Sequence, residues 1–178
     1  DDNKLMPADS YELITSLYSL AERNISEFES DGDDDFSFAV PGISRFRVNT
    51  FRQRSSYAAV IRVISFDLPK PEELHIPDAV MNLANENHGM VLVTGPAGSG
   101  KSTTLACLIN KINQEQEAHI ITLEDPLEYL HRHEKSIVSQ REISTDTDSY
   151  LIALRAALRQ SPDVILLGEM RDYETINT

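Results

Sequence analysis

Nine residues constrain this chain more than any others: Gly95-Pro96-Ala97-Gly98-Ser99-Gly100-Lys101-Ser102 and the Thr103 that follows. The first eight fill every fixed position of G-x-x-x-x-G-K-[ST], the Walker A or P-loop pattern. Context gives the match its weight. The apolar run 90–94 predicts a buried strand leading in, and the pattern from Lys101 to about Gln114 predicts a helix leading out. Glycines let consecutive backbone N–H groups turn toward one anion without Cβ obstruction. The helix beginning at Lys101 places its positive end beneath that anion. Lys101 adds a point charge for β- and γ-phosphates, and the Ser102 hydroxyl suits Mg²⁺, a hard cation that seeks oxygen. A glycine-rich strand–helix turn with an incidental lysine would not fill all these positions in this setting.

Around that loop the pattern alternates strand with helix. After a short helix over 77–85 come the 90–94 strand and the P-loop helix. A strand is expected over 119–123, a helix over 149–160 and an apolar strand over 164–167, with a further helix starting near Asp172. Continuous apolar strands between helices predict an α/β fold whose mainly parallel sheet is covered on both faces. The stretch 67–76 carries Pro69 and Pro71 among charges and reads as a linker.

Upstream, Leu13, Ile14, Leu17, Leu20 and Ala21 recur at helical spacing, with Asp9 or Ser10 as the expected cap. The acidic run EFESDGDDD, Glu27 to Asp35, reads as a solvated loop. It lacks the spaced ligands and closing Glu of a calcium loop. Residues 36–40, 46–51 and 57–64 read as strands, the last two joined through Arg54-Ser55-Ser56 as a hairpin. With an even-numbered turn there, Arg47 and Arg62 fall directly opposite on one face. Two adjacent guanidiniums repel unless an anion sits between them, and a polyphosphate would serve. Solvated arginines paired with nearby acids are the competing reading.

Composition narrows the function classes. Of 178 residues 40 % are hydrophobic, enough for a core, while the formal net charge of −13 disfavours broad contact with nucleic-acid backbones. No run is long enough to span a membrane, and the polar start Asp1-Asp2-Asn3-Lys4 lacks the apolar stretch of a signal peptide. The one cysteine, Cys107, rules out an internal disulfide and fits a small packed hydrophobe in a reducing cytosol.

Hydrolysis needs a carboxylate to orient water and usually another to steady magnesium. Candidates lie at two expected strand ends: Glu124, Asp125 and Glu128 after Leu123, and Glu169 after 164–167. Gly168 stands where a magnesium-associated Asp usually ends such a strand, so Glu124 or Asp125, directly or through water, would help hold the metal shell. Each acid alone could equally be a cap or a solvated loop charge.

Together TGPAGSGKSTTLACLINKIN, ITLEDPLEYLH, SQREISTDT and ALRAALRQSPDVILLGEMRDYETI, in that order, resemble the PilT family of retraction ATPases within the secretion ATPase superfamily. Upstream, DFSFAVPGISRFRVNTFRQRSSYAAVIRVI resembles that family's PAS-like N-terminal domain. The resemblance implies a partial PAS-like domain over 1–66, a linker over 67–76 and an incomplete RecA-like ATPase core over 77–178. It implies ATP and Mg²⁺ as cofactors, a homo-hexamer, and an inner-membrane platform protein of the type IV pilus as partner. The expected location is cytoplasmic, peripheral at the inner face of the membrane, without insertion. By position, Lys101 and Ser102 match the phosphate and magnesium ligands. Glu128 and Glu169 match the catalytic acids of the Asp box and Walker B strand, and Arg47 and Arg62 match arginine fingers. The family's His box and last helices are not matched, so these 178 residues are expected to bind nucleotide but hydrolyse it poorly.

The histidines show no metal spacing beyond His131-x-His133, which reads as loop surface rather than as a ligand pair. Arg155 and Arg159 share a helix face and read as solvated. Two other functions compete: a sister motor for pilus assembly or type II secretion, and a nucleotide-gated assembly module without turnover.

Overall fold

A computed structural model describes residues 4–64, 66–170 and 173–178; the polar start Asp1-Asp2-Asn3 and Asp172 lie outside them. The chain divides into two compact units, Asp1–Ile64 and Ser65–Thr178.

In the first unit, helices α1 (Pro7–Leu20) and α2 (Ser26–Asp31) precede strands β1 (Asp33–Val40), β2 (Ser44–Gln53) and β3 (Ser56–Ile64). The strands form an antiparallel sheet in the order β1-β2-β3. Helix α1 starts earlier than expected, with Met6 as N-cap and Pro7 in the first turn; Asp9 accepts the Met6 N–H at 2.8 Å. The acidic run is not a loop. It folds as α2 and the start of β1, because Phe28 turns fully into the core while Glu27 and Glu29 stay in solvent. Ile14, Tyr18, Phe28, Phe36 and Val48 make that core. The Tyr18 hydroxyl bonds Asp34 and Thr50, each at 2.9 Å, and its burial pushes its pKa up to about 12. Strands β2 and β3 meet through the two-residue turn Arg54-Ser55, both residues in the left-handed region.

In the second unit, α3 (Asp78–Met81) continues as a 3₁₀ turn over Asn82–Asn85. Helix α4 (Lys101–Glu115) follows the glycine loop; then come β4 (His119–Glu124), β5 (Ile137–Glu142), α5 (Tyr150–Ala157), β6 (Val164–Leu167) and α6 (Tyr173–Ile176). The sheet is parallel, in the order β5-β4-β6. Its central strand β4 explains the unbroken apolar run. Ile120 packs toward Cys107, Leu108, Ile109 and Ile112 of α4, while Ile121 and Leu123 pack toward Ala153, Leu154 and Ala157 of α5. Both faces are thus dry, as parallel sheets require. Cys107 is buried, and its thiol donates to the Pro69 carbonyl at 3.3 Å.

One strand expectation fails, and one strand was not expected. Residues 90–94 are irregular, with Met90 77 % and Leu92 60 % exposed. A strand persists only where a neighbour takes its N–H and C=O groups, and none of the described strands pairs with this run. Conversely β5, in a segment bracketed by charges, gave no clear period and is fixed by its pairing with β4.

Candidate nucleotide site

The glycine loop runs directly into α4, whose first N–H groups have no acceptor within the helix and so face outward as anion donors. Gly95 has φ +154°, and a Cβ built there would lie 2.7 Å from Ser99 Oγ, so the loop closes only around glycine. The Lys101 ammonium donates to the carbonyls of Gly95 at 3.0 Å and Pro96 at 2.8 Å. It therefore lies over the loop mouth, held by two neutral acceptors that a phosphate can outcompete. Ser102 is exposed. Thr103 Oγ1 lies 3.3 Å from the Tyr129 hydroxyl.

Behind the loop, a cavity of about 30 Å³, room for a water or two, is lined among others by Ser102, Glu124, Tyr129, His131 and Gly168. The start of α4 thus meets the C-terminal ends of β4 and β6. Glu124 carries the one formal charge of that lining. Thr122 Oγ1 donates to its carboxylate at 2.7 Å. Burial raises its pKa first, the nearby Glu128 charge adds to this, and hydrogen bonds from Thr122, Gln140 and the Glu128 backbone pull the other way. Such a partly desolvated carboxylate gains from a cation beside it. A serine hydroxyl and a carboxylate are hard oxygen donors of the kind that suits Mg²⁺, so these two residues fit the ion that the loop implies.

Of the other predicted acids, Asp125 and Glu128 are exposed, and Glu169 is half-buried just past β6. None of the three lines the cavity. Gly168 sits close against its neighbours. A Cβ there would sit 3.2 Å from the Tyr150 hydroxyl oxygen and 3.3 Å from both Glu124 Cα and the Leu123 carbonyl oxygen, so an Asp would fit only if these neighbours gave by a few tenths of an ångström. In the first unit, Arg47 and Arg62 are directly paired across β2 and β3. The anion serving Arg47 is Asp35, which its guanidinium grips through two bonds of 2.6 and 3.2 Å; Arg62 is exposed.

Three residues escaped the sequence reading. Tyr129, Gln140 and His131 gather beside Glu124. His131 is not loop surface: burial pushes its imidazole down to about 4, and its Nδ1 is buried with no hydrogen-bond partner among the described residues. Its backbone N–H donates to Gln140 Oε1 at 2.7 Å, and Gln140 Nε2 donates to the Tyr129 carbonyl at 3.0 Å. No local spacing announces this cluster, since Gln140 arrives opposite Thr122 only through parallel pairing. Arg155 and Arg159 are exposed, as expected. Among the described residues no group of three or more His, Cys, Asp or Glu could hold a metal by itself.

A phosphate loop at the head of a helix, facing a carboxylate at the end of a parallel strand, defines a P-loop nucleotide-binding protein of the α/β class. The sequence profile described as "Type II/IV secretion system protein" matches residues 7–178, and the chain belongs to that family. It is 49 % identical over 164 residues to the "Twitching motility protein" of Neisseria gonorrhoeae, covering 92 % of this chain and 43 % of the relative. It is 44 % identical over 173 residues to the "Type IV pilus retractation ATPase PilT" of Pseudomonas aeruginosa, covering 97 % and 50 %. A solved structure described as the pilus retraction motor PilT with bound ADP superposes with a TM-score of 0.84 at 51 % identity, covering 92 % of this chain and 48 % of that one. The Legionella pneumophila ATPase DotB gives 0.77 at 29 %, covering 98 % and 50 %. The chain spans about half the length of the relatives it matches.

Proposed function

We propose that this chain is the nucleotide-binding part of an ATP-hydrolysing, hexameric motor that drives type IV pilus retraction, the motion behind twitching. The observation that carries the reading is a complete phosphate loop within a chain 49 % and 44 % identical to relatives named for twitching motility and pilus retraction. Residues 95–103 hold the nucleotide: loop N–H groups and the Lys101 ammonium take the phosphate oxygens, and Ser102 orients toward magnesium. Bound Mg²⁺ would neutralise charge on the transferring phosphoryl group. Glu124 and Asp125 support its shell, directly or through water. Glu169 and Glu128 are the acids that orient and deprotonate water. Arg47 and Arg62 serve a nucleotide as paired cations, Arg47 exchanging Asp35 for phosphate; that ion pair is half-exposed and costs little to break.

We place the working protein in the cytoplasm at the inner face of the membrane, docked on a platform protein of the pilus. Among the described residues no helix is long and apolar enough to cross a membrane. The test is ATP turnover by the complete protein that contains this chain, with its oligomer size measured alongside. Glu169→Gln should keep nucleotide binding and lower turnover by at least about 100-fold. Unchanged turnover would overturn the motor reading, and a protein that binds ATP but never cycles would favour an assembly module.

A further inference from the structure

We propose that His131 reads the third phosphate of a bound nucleotide: its Nε2–H donates, through a water seated in the cavity beside Ser102, to a terminal phosphate oxygen, so that the site favours a triphosphate over a diphosphate. The inference rests on the nucleotide reading above and deepens it by naming a residue that tells ATP from ADP. His131 lines that cavity together with Ser102, Glu124 and Tyr129. Its backbone N–H is held by Gln140 Oε1 at 2.7 Å, so the ring hangs from a fixed point. The two ring nitrogens differ. Nδ1 is buried with no hydrogen-bond partner among the described residues, whereas Nε2 has no partner there but is not sealed off. Burial keeps the imidazole neutral, so one proton serves both nitrogens. A buried N–H without an acceptor is rarer in folded proteins than an acceptor left short of donors. The proton therefore belongs on Nε2, which makes the open nitrogen an uncharged donor.

The cavity selects what that donor meets. At about 30 Å³ it admits a water but not a phosphate group. Ser102 serves the metal that bridges the last two phosphates of a triphosphate, so the third phosphate is the one that comes to the cavity mouth. A diphosphate ends one group short of it. Glu124 lines the same cavity. An ionised carboxylate and a phosphate oxygen accept only, and they repel each other across a short gap. A water between them gives one proton to each and still needs a donor for its own lone pair. Nε2–H is that donor, and being neutral it adds no charge that competes with Lys101 or the metal. Packing alone does not call for a histidine here, because an unpaired buried ring nitrogen costs stability that an apolar ring would not.

The test titrates ADP and the imido analogue of ATP, which is not hydrolysed, into the complete protein with Mg²⁺ present. It compares the wild type with His131→Phe, His131→Asn and His131→Gln. Phe keeps a packed ring and loses the donor. Asn places its amide where Nδ1 stands, and Gln places its amide nitrogen where Nε2 stands. Affinity for the ATP analogue should fall about tenfold in the Phe and Asn variants, while ADP affinity stays within about twofold. Gln should keep the wild-type preference for the analogue to within about threefold. An unchanged preference in both the Phe and the Asn variant would overturn the proposal. So would an equal loss for both nucleotides, which marks a merely structural role, or a loss in the Gln variant as deep as in Phe. If the wild type binds neither nucleotide, the nucleotide reading itself fails and takes this inference with it.

Discussion

At the scale of single residues, local rules and long-range pairing produced different kinds of knowledge. Lys101 and Ser102 were legible because their environment is built by the eight residues around them; a glycine loop entering a helix carries its own geometry. Gly168 was legible as a departure, but the tight approach of Glu124 Cα, 3.3 Å from a Cβ built there, needed the fold. His131 was misread because nothing in its neighbours signals burial. That burial has a thermodynamic consequence. The imidazole falls from 6.5 to about 4 on folding. Between those values the unfolded chain binds more protons than the folded one, so this group weakens the fold as pH drops through about 6.5 toward about 4. At pH 4.5 the loss amounts to roughly 2–3 kcal/mol. Glu124, whose pKa is raised, contributes with the opposite sign, losing stability as pH rises through its folded value, and is common to both proteins compared. Urea unfolding of wild type and His131→Gln at pH 7 and 4.5 should therefore show the variant losing roughly 2–3 kcal/mol less between the two pH values. Parallel losses would show that the imidazole is not held neutral by burial.

At the scale of elements, alternation and turn chemistry served better than apolar content. The hairpin could be read because Arg54-Ser55 closes it with two residues, and the period-2 pattern then sets the partner of every position, Arg47 with Arg62 included. Residues 90–94 were overread for the opposite reason: apolar composition says that a segment would gain from burial, not that a neighbouring strand is there to pair with it. Strand β5 was passed over because its charges mask its role, and the acidic α2 because one buried phenylalanine outweighs its carboxylates. The hairpin turn itself is not optimal. Both central residues are non-glycine with φ of 49° and 65°, the conformation that Asn-Gly adopts with least strain. Arg54→Asn combined with Ser55→Gly should stabilise the first unit by about 1 kcal/mol and raise its melting temperature by about 4 °C in a thermal scan. A lower melting temperature would mean that this turn does not carry the strain its backbone angles imply.

At the scale of the whole molecule, two compact units with separate cores divide the chemistry. The second unit joins a phosphate loop to the ends of two parallel strands, and the first presents paired arginines on one sheet face. Membership in the type II/IV secretion family places both halves in proteins that include named ATPases. The central claim is that residues 95–103 enclose the phosphates of a nucleotide. It is met most directly by isothermal titration of ATP with Mg²⁺ into the complete protein and its Lys101→Ala variant. Saturable heat from the wild type, with affinity at least about tenfold weaker in the variant, is the predicted result. No heat from the wild type, or identical isotherms from the two proteins, would contradict it.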